Sequence, residues 1–151
     1  MAAVAVKYPA FRELGTEVLS VSVDSVSTHR DWQEKELSRM VKGGVLFPMI
    51  SDPGGKIGSL FGVHDDRTGL DLRGHFIIDP DGVVQAMEVL ASPIGRNVTE
   101  VLRQLRALQH HRATGEFIPC GWQPGKPTIS RKGDGSLIGR IWELWKPKNA
   151  F

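Results

Sequence analysis

Cysteine is almost missing from this chain of 151 residues, which carries only Cys120. A lone thiol excludes an internal disulfide and points to a reducing, cytoplasmic setting, with pairing to another chain left open. Long apolar runs are also missing, so no membrane span is predicted. The opening MAAVAVKYPAF lacks the basic stretch and apolar run of a secretory signal. Charge of one sign does not dominate: 19 Lys and Arg against 17 Asp and Glu leave a formal net charge of +2. The two signs are interspersed and no aromatic-basic platform is visible, which speaks against a nucleic-acid partner. Phosphate-loop chemistry is lacking, because Gly43–Gly44 and Gly54–Gly55 are not followed by a Gly-Lys-Ser/Thr run opening a helix. No Ser–His–Asp signature is present. His110 and His111 are neighbours, which do not share a helix face, so neither a metal nor any other cofactor is predicted.

What is present is ordinary globular composition, 40% hydrophobic and 24% charged, with enough length for one sizeable core. Residues 2–14 read as a helix that Pro9 kinks or ends. The β-branched run 17–25 reads as a strand. Residues 27–41 read as a helix capped by Ser27 or Thr28, with Trp32, Leu37, Met40 and Val41 as its apolar stripe and Gly43–Gly44 as its stop. Residues 46–51 form a short strand, placed at an edge by Pro48. Residues 52–63 carry a turn and a short helix with Ile57, Leu60 and Phe61 as its apolar side, and Asp65–Asp66 belong to a solvated loop.

The clearest element is a hairpin, LRGHFIID (72–79) and VVQAMEVL (83–90), joined by Pro80–Asp81–Gly82. Pro fixes φ there and Gly accepts positive φ. Ser92–Pro93 then opens a long helix whose Ile94, Val98, Val101, Leu102, Leu105 and Leu108 recur at spacings of three and four. Beyond it come Pro119, Pro124 and Pro127 and a weakly apolar piece at 137–145. The order α–β–α–β–α–β–β–α predicts a layered α/β domain. On residue type alone, Arg73 is a strand-end surface charge. Cys120, in the irregular run GEFIPCGWQPGKPTI, is an accessible loop thiol and not a buried apolar filler.

Taken together and in order, VLSVSVDSVSTHRDW, LRGHFIIDPDGVVQ, SPIGRNVTEVLRQLRALQ and GEFIPCGWQPGKPTI resemble a typical two-cysteine peroxiredoxin, the alkyl hydroperoxide reductase C and thiol-specific antioxidant family. The resemblance runs from about residue 10 to Ile129. It implies a thioredoxin-like fold of α/β/α layers and reduction of hydrogen peroxide and organic hydroperoxides by a cysteine thiolate. The resulting sulfenic acid would be resolved by a second cysteine and recycled by thioredoxin or a similar disulfide reductase. By the same resemblance Arg73 matches the arginine of the R-G-x-F-I-I-D strand, which lowers a thiolate's pKa and stabilises charge as the O–O bond breaks. Arg96 matches a second arginine of that pocket, and Cys120 is the candidate resolving cysteine.

Several departures stand beside this match. The family's turn carrying Pro, Thr or Ser and the peroxidatic Cys would end just before Met1. The opening strands, including the central one between Val18–Asp24 and Phe76–Asp79, have no counterpart here. Cys120 lies two residues beyond the usual resolving position, which here is Ile118. The resemblance therefore divides the chain into residues 1–113, a thioredoxin-like core incomplete at its N-terminus, and 114–151, a tail with a resolving-type cysteine. It implies a homodimer or higher ring, or association with a full-length peroxiredoxin subunit. The chain alone is expected to lack peroxidase activity. The alternative is a non-catalytic thioredoxin-like scaffold or binding subunit assembling with full-length peroxiredoxins.

Overall fold

In the computed structural model, which describes residues 1–130 and 139–150, helix α1 (Ala2–Glu13) continues past Pro9. The helix does not end there. Pro9 is exposed, so its ring meets solvent and the loss is one helical hydrogen bond, of order ~3 kcal/mol. Val4, Ala5 and Tyr8 of α1 pack, partly buried, onto a cluster of Leu37, Val45 and Phe47, with the Tyr8 and Phe47 rings 5.4 Å apart. Apolar area so covered returns about 25 cal/mol per Å², which offsets the cost of the proline.

Strand β1 (Ser20–Ser22) is shorter than the alternating run 17–25. Helix α2 (Val26–Trp32) follows, and its cap is Ser25, not Ser27 or Thr28: the Ser25 hydroxyl accepts from the Thr28 N–H at 3.1 Å. The helix then widens into a π-turn at Gln33–Leu37 before a last turn, α3 (Ser38–Met40). Of its expected stripe only Leu37 is buried, while Trp32 and Met40 face solvent. The widened turn sends the Gln33 side chain onto the following loop. Its Oε1 accepts from Val45 N–H at 3.0 Å and its Nε2 donates to Val45 C=O at 3.4 Å.

Strand β2 (Met49–Ser51) pairs parallel with β1, Ser20 opposite Met49 and Ser22 opposite Ser51. The pairing places Pro48 at a sheet edge, as its residue type requires. Helix α4 (Lys56–Leu60) is held at its start by Asp52, whose buried carboxylate accepts from the N–H groups of Ile57 at 2.7 Å and Gly58 at 3.0 Å. Leu60, expected on its apolar side, is exposed. Asp65 belongs to a two-residue strand, β3 (His64–Asp65), antiparallel to β4 (Leu70–Asp71), and not to a bare loop.

The hairpin forms where the sequence places it, β5 (Arg73–Ile78) against β6 (Val84–Leu90), with Arg73 opposite Leu90 and an irregularity between Ile77 and Ile78. Gly82 sits at φ +80° in its turn, and Asp79 N–H and Val83 C=O close it at 2.9 Å. Phe76 on β5 meets Phe61 after α4, their rings 4.7 Å apart. Among the described residues β1–β2, β3–β4 and β5–β6 are three separate two-stranded sheets.

All of these elements lie in one compact unit, Met1–Val98; the second unit is Thr99–Phe151. These limits do not coincide with the 1–113 and 114–151 segments read from the sequence. Helix α5 (Val98–Thr114) begins after Ser92–Pro93, not at it. Pro93 to Arg96 stay outside the helix, and Asn97, a residue type that favours caps, stands just before Val98. Leu102 and Leu105 are buried on α5, whereas Ile94, outside the helix, is exposed. The tail carries α6 (Ile141–Leu144) and a tight turn at Pro147–Ala150. The first two residues of the apolar piece 137–145 lie outside the described residues.

Candidate active site: an arginine pair at a helix start, and a lone thiol

Arg73 opens β5 and is exposed; its Nε donates to the Ser92 carbonyl at 3.2 Å, which ties the strand's first residue to the chain leaving β6. Arg96 is half-buried and its Nη1 donates to the Gly74 carbonyl at 2.6 Å. Neither guanidinium is bonded to a carboxylate among the described residues. Burial first, and then Arg73, push the pKa of Arg96 down from its ordinary value, with Glu88 acting in the other direction. The α-amino group of Met1 lies in the same field. Burial, then Arg96, then Arg73 lower its pKa from 8.0.

Met1 is the residue ahead of α1, where no side chain caps the helix and the first turn holds no acid. Orphan N–H groups and the positive end of the helix dipole are therefore added to two guanidinium groups. Such a place stabilises an anion, or negative charge that develops during a reaction.

His75, two residues along β5 from Arg73, lies on the same strand face by alternation. Its Nδ1 is 3.4 Å from Glu88 Oε2 on β6, and neither ring nitrogen makes a hydrogen bond. Burial lowers its pKa below 6.5, Glu88 opposes this and Arg96 adds to it. His75 was missed in the sequence; its alternation with Arg73 in RGHF was the available signal.

Cys120 belongs to the second unit. It is exposed at a turn where Trp122 N–H donates to the Pro119 carbonyl at 3.2 Å. The base of its loop is closed by Phe117 and Ile129, which exchange backbone hydrogen bonds at 2.9 and 3.0 Å. Trp122 is buried and its Nε1 donates to the Lys126 carbonyl at 2.9 Å. Arg103 of α5 donates to the Trp122 carbonyl at 3.1 Å while held by Glu100 through two bonds of 2.7 Å. The hydrogen bond from Glu100 raises the pKa of Arg103 above its ordinary value, against the effect of burial. A cleft of about 80 Å³ beside the thiol is lined by Trp122, Lys126, Trp145 and Lys148, which gives Trp145 its place in the tail. His110 and His111 both engage Glu116: His110 Nε2 is 3.0 Å from Glu116 Oε2 and His111 Nδ1 bonds the Glu116 carbonyl at 2.6 Å.

The structure thus brings Arg73 and Arg96 together with the start of α1, and sets Cys120 in a separate, braced loop. Residues 1–87 match the family model described as AhpC/TSA family, and residues 107–143 match the C-terminal domain of 1-Cys peroxiredoxin. The chain is 54% identical over 153 residues to the selenocysteine-containing peroxiredoxin PrxU of Peptoclostridium acidaminophilum, covering 100% of this chain and 74% of that relative. It is 40% identical over 136 residues to an alkyl hydroperoxide reductase C of Ferdinandcohnia aciditolerans, covering 89% of this chain and 78% of the relative. The reduced 2-Cys peroxiredoxin of Plasmodium vivax superposes with a TM-score of 0.78 at 35% identity, over 84% of this chain and 65% of that one. The chain belongs to the AhpC/TSA peroxiredoxins, and its fold is their thioredoxin-like α/β fold.

Proposed function

We propose that this chain provides the charge-stabilising and resolving parts of a peroxidase centre that reduces hydrogen peroxide and organic hydroperoxides. The observation that carries the reading is the convergence of Arg73 and Arg96 on the uncapped start of α1. A thiolate or selenolate attacking one peroxide oxygen forms an S–O or Se–O bond and breaks the O–O bond. The departing alkoxide or hydroxide then takes up a proton. Both the attacking anion and the departing oxygen gain from guanidinium donors, of which Arg96 is half-buried. The name of the 54% identical relative makes a selenol as suitable a nucleophile as a thiol.

The oxidised nucleophile then condenses with the Cys120 thiol, losing water and forming a disulfide or selenenyl sulfide. Two electrons from a thioredoxin-type dithiol restore both groups. Cys120 suits this second role because it is exposed on a loop, and a resolving thiol need only reach an existing sulfenic or selenenic acid. With Cys120 as the only sulfur nucleophile, the chain by itself does not run the first step.

The test is a chimera in which Met1 follows the corresponding segment of the PrxU relative with cysteine as nucleophile, assayed by thioredoxin-coupled peroxide consumption. The chain alone is expected to be inactive and the chimera active. Arg73→Ala in the chimera should lower kcat/KM by about 10²-fold. Catalytic turnover by the chain alone, or an Arg73→Ala chimera at full rate, would overturn the assignment. A folded but inert chimera would favour the scaffold reading.

A further inference from the structure

Two residues ahead of Arg73 stands a histidine–carboxylate pair that the peroxide chemistry does not use. His64 and Asp71 face each other across β3 and β4, with His64 Nδ1 2.9 Å from Asp71 Oδ1. A carboxylate only accepts, so Nδ1 holds the proton and donates it. Both side chains are enclosed, 6% and 14% exposed. The pair is seated on the backbone of α4. A Cβ built at Gly55 would overlap the His64 ring, and one at Gly58 would overlap Asp71 Oδ1. The start of α4 is tied in turn to β1: its cap, Asp52, donates its own N–H to the Ser22 carbonyl at 2.8 Å. On the other side of the pair, Leu72 N–H donates to the Val63 carbonyl at 2.7 Å, and Arg73 follows. Val63 is buried, and its Cγ1 would lie 3.0 Å from a Cβ at Gly74.

We propose, on the basis of the peroxidase role given to Arg73 above, that His64 and Asp71 are positioning residues: their hydrogen bond, seated on α4, fixes where β5 begins and so where the Arg73 guanidinium lies. A ladder as short as β3–β4 does not hold itself together, and the side-chain bond across it supplies the missing direction. The rings of Phe61 and Phe76 fix the middle of β5, but its first residue is exposed and its Nε reaches the Ser92 carbonyl only at 3.2 Å, the long end of the hydrogen-bond range. A long side chain aims its head group reproducibly only from a fixed Cα, and a displacement of about 1 Å from a distant substitution is enough to cost about 10²-fold in rate. Asp66, 3.9 Å from His64 Nε2, is 99% exposed and adds little to the pair.

The test reads nitrogen relaxation at Arg73 Nε in the full chain, with Arg103 Nε of the second unit as the internal reference. Asp71→Ala removes the acceptor and is expected to make Arg73 Nε more mobile while Arg103 Nε stays unchanged. Asp71→Asn keeps an oxygen that accepts from Nδ1–H and should restore the wild-type signal. Gly58→Ala keeps both partners but drives Asp71 Oδ1 off the ring. Alanine suits a helix better than glycine, so this variant loosens Arg73 without weakening α4 and keeps the test valid if Asp71→Ala misfolds. Asp66→Ala is the control and should change nothing. In the PrxU chimera, Asp71→Ala should lower kcat/KM about tenfold, and should cost nothing more once Arg73 is alanine. Four results would overturn the proposal: Arg73 Nε unmoved by both Asp71→Ala and Gly58→Ala, Arg103 Nε loosened equally, Asp71→Asn or Asp66→Ala behaving as Asp71→Ala does, or the loss adding in full to that of Arg73→Ala. The relaxation measurement needs no nucleophile, so an inert chimera with a loosened Arg73 would refute the peroxidase assignment and leave the placement of Arg73 by the pair standing.

Discussion

Gly121, next to the thiol, packs against the end of the tail. A Cβ built there would lie 2.0 Å from the Ala150 carbonyl oxygen and 2.7 Å from its carbon, and the backbone is left-handed at φ +66°. Ala150 is the last residue of the Pro147–Ala150 turn, so Gly121→Ala forces backbone apart from backbone, which no rotamer change relieves. The left-handed penalty alone is about 1–2 kcal/mol, and moving the turn away relieves only the clash. If the tail's docking weakens by about 1–2 kcal/mol, its undocked fraction rises about 5–30-fold. Cleavage by trypsin after Lys148 reads that fraction when opening is fast relative to cutting. The expected result is cleavage faster by that factor, with Cys120 still open to alkylation. Gly82→Ala is the control, since Gly82 has φ +80° with nothing within reach of a Cβ. Equal cleavage rates in wild type and Gly121→Ala, or equal effects of the two substitutions, would refute the idea that Gly121 seats the tail.

Asp52→Ala strands the N–H groups of Ile57 and Gly58 beneath α4; urea unfolding should show a loss of about 2 kcal/mol or more, and a loss below about 0.5 kcal/mol would dismiss the cap. His75 has a lowered pKa, so below about pH 6.5 the unfolded chain takes up the proton first and stability falls as pH falls. His75→Gln should flatten that part of the stability curve, and an unchanged curve would remove His75 from the account.

The elements that were legible in the sequence are those set by local chemistry. The Pro80–Asp81–Gly82 turn and its two strands formed as read, because turn geometry and period-2 alternation are contained within the segment. The starts and stops were less legible. The helix expected at Ser92–Pro93 begins at Val98, after a stretch whose Arg96 is engaged by Gly74 across the hairpin end. Pro9 did not break α1 because distant residues, Leu37, Val45 and Phe47, hold its inner face. The β1 run was read too long because alternation indicates what a strand would bury, not whether a neighbour is present to pair with it. At the candidate site, Arg73 and Arg96 were named through resemblance. That the Met1 amine and the uncapped end of α1 meet them depends on tertiary placement, which no spacing in the sequence encodes.

The widened turn at Gln33–Leu37 ties two distant positions into one inherited character. The Gln33 amide serves Val45 in place of a backbone partner, and it occupies the space a side chain at Gly44 would need, with a Cβ there only 2.2 Å from Nε2. A larger residue at position 44 evicts the amide and leaves the Val45 N–H without its acceptor. A shorter residue at 33 vacates the space but leaves the same N–H bare. Neither change is neutral by itself, so these two positions are expected to vary jointly or to stay as they are, although neither touches the arginine pair or the thiol.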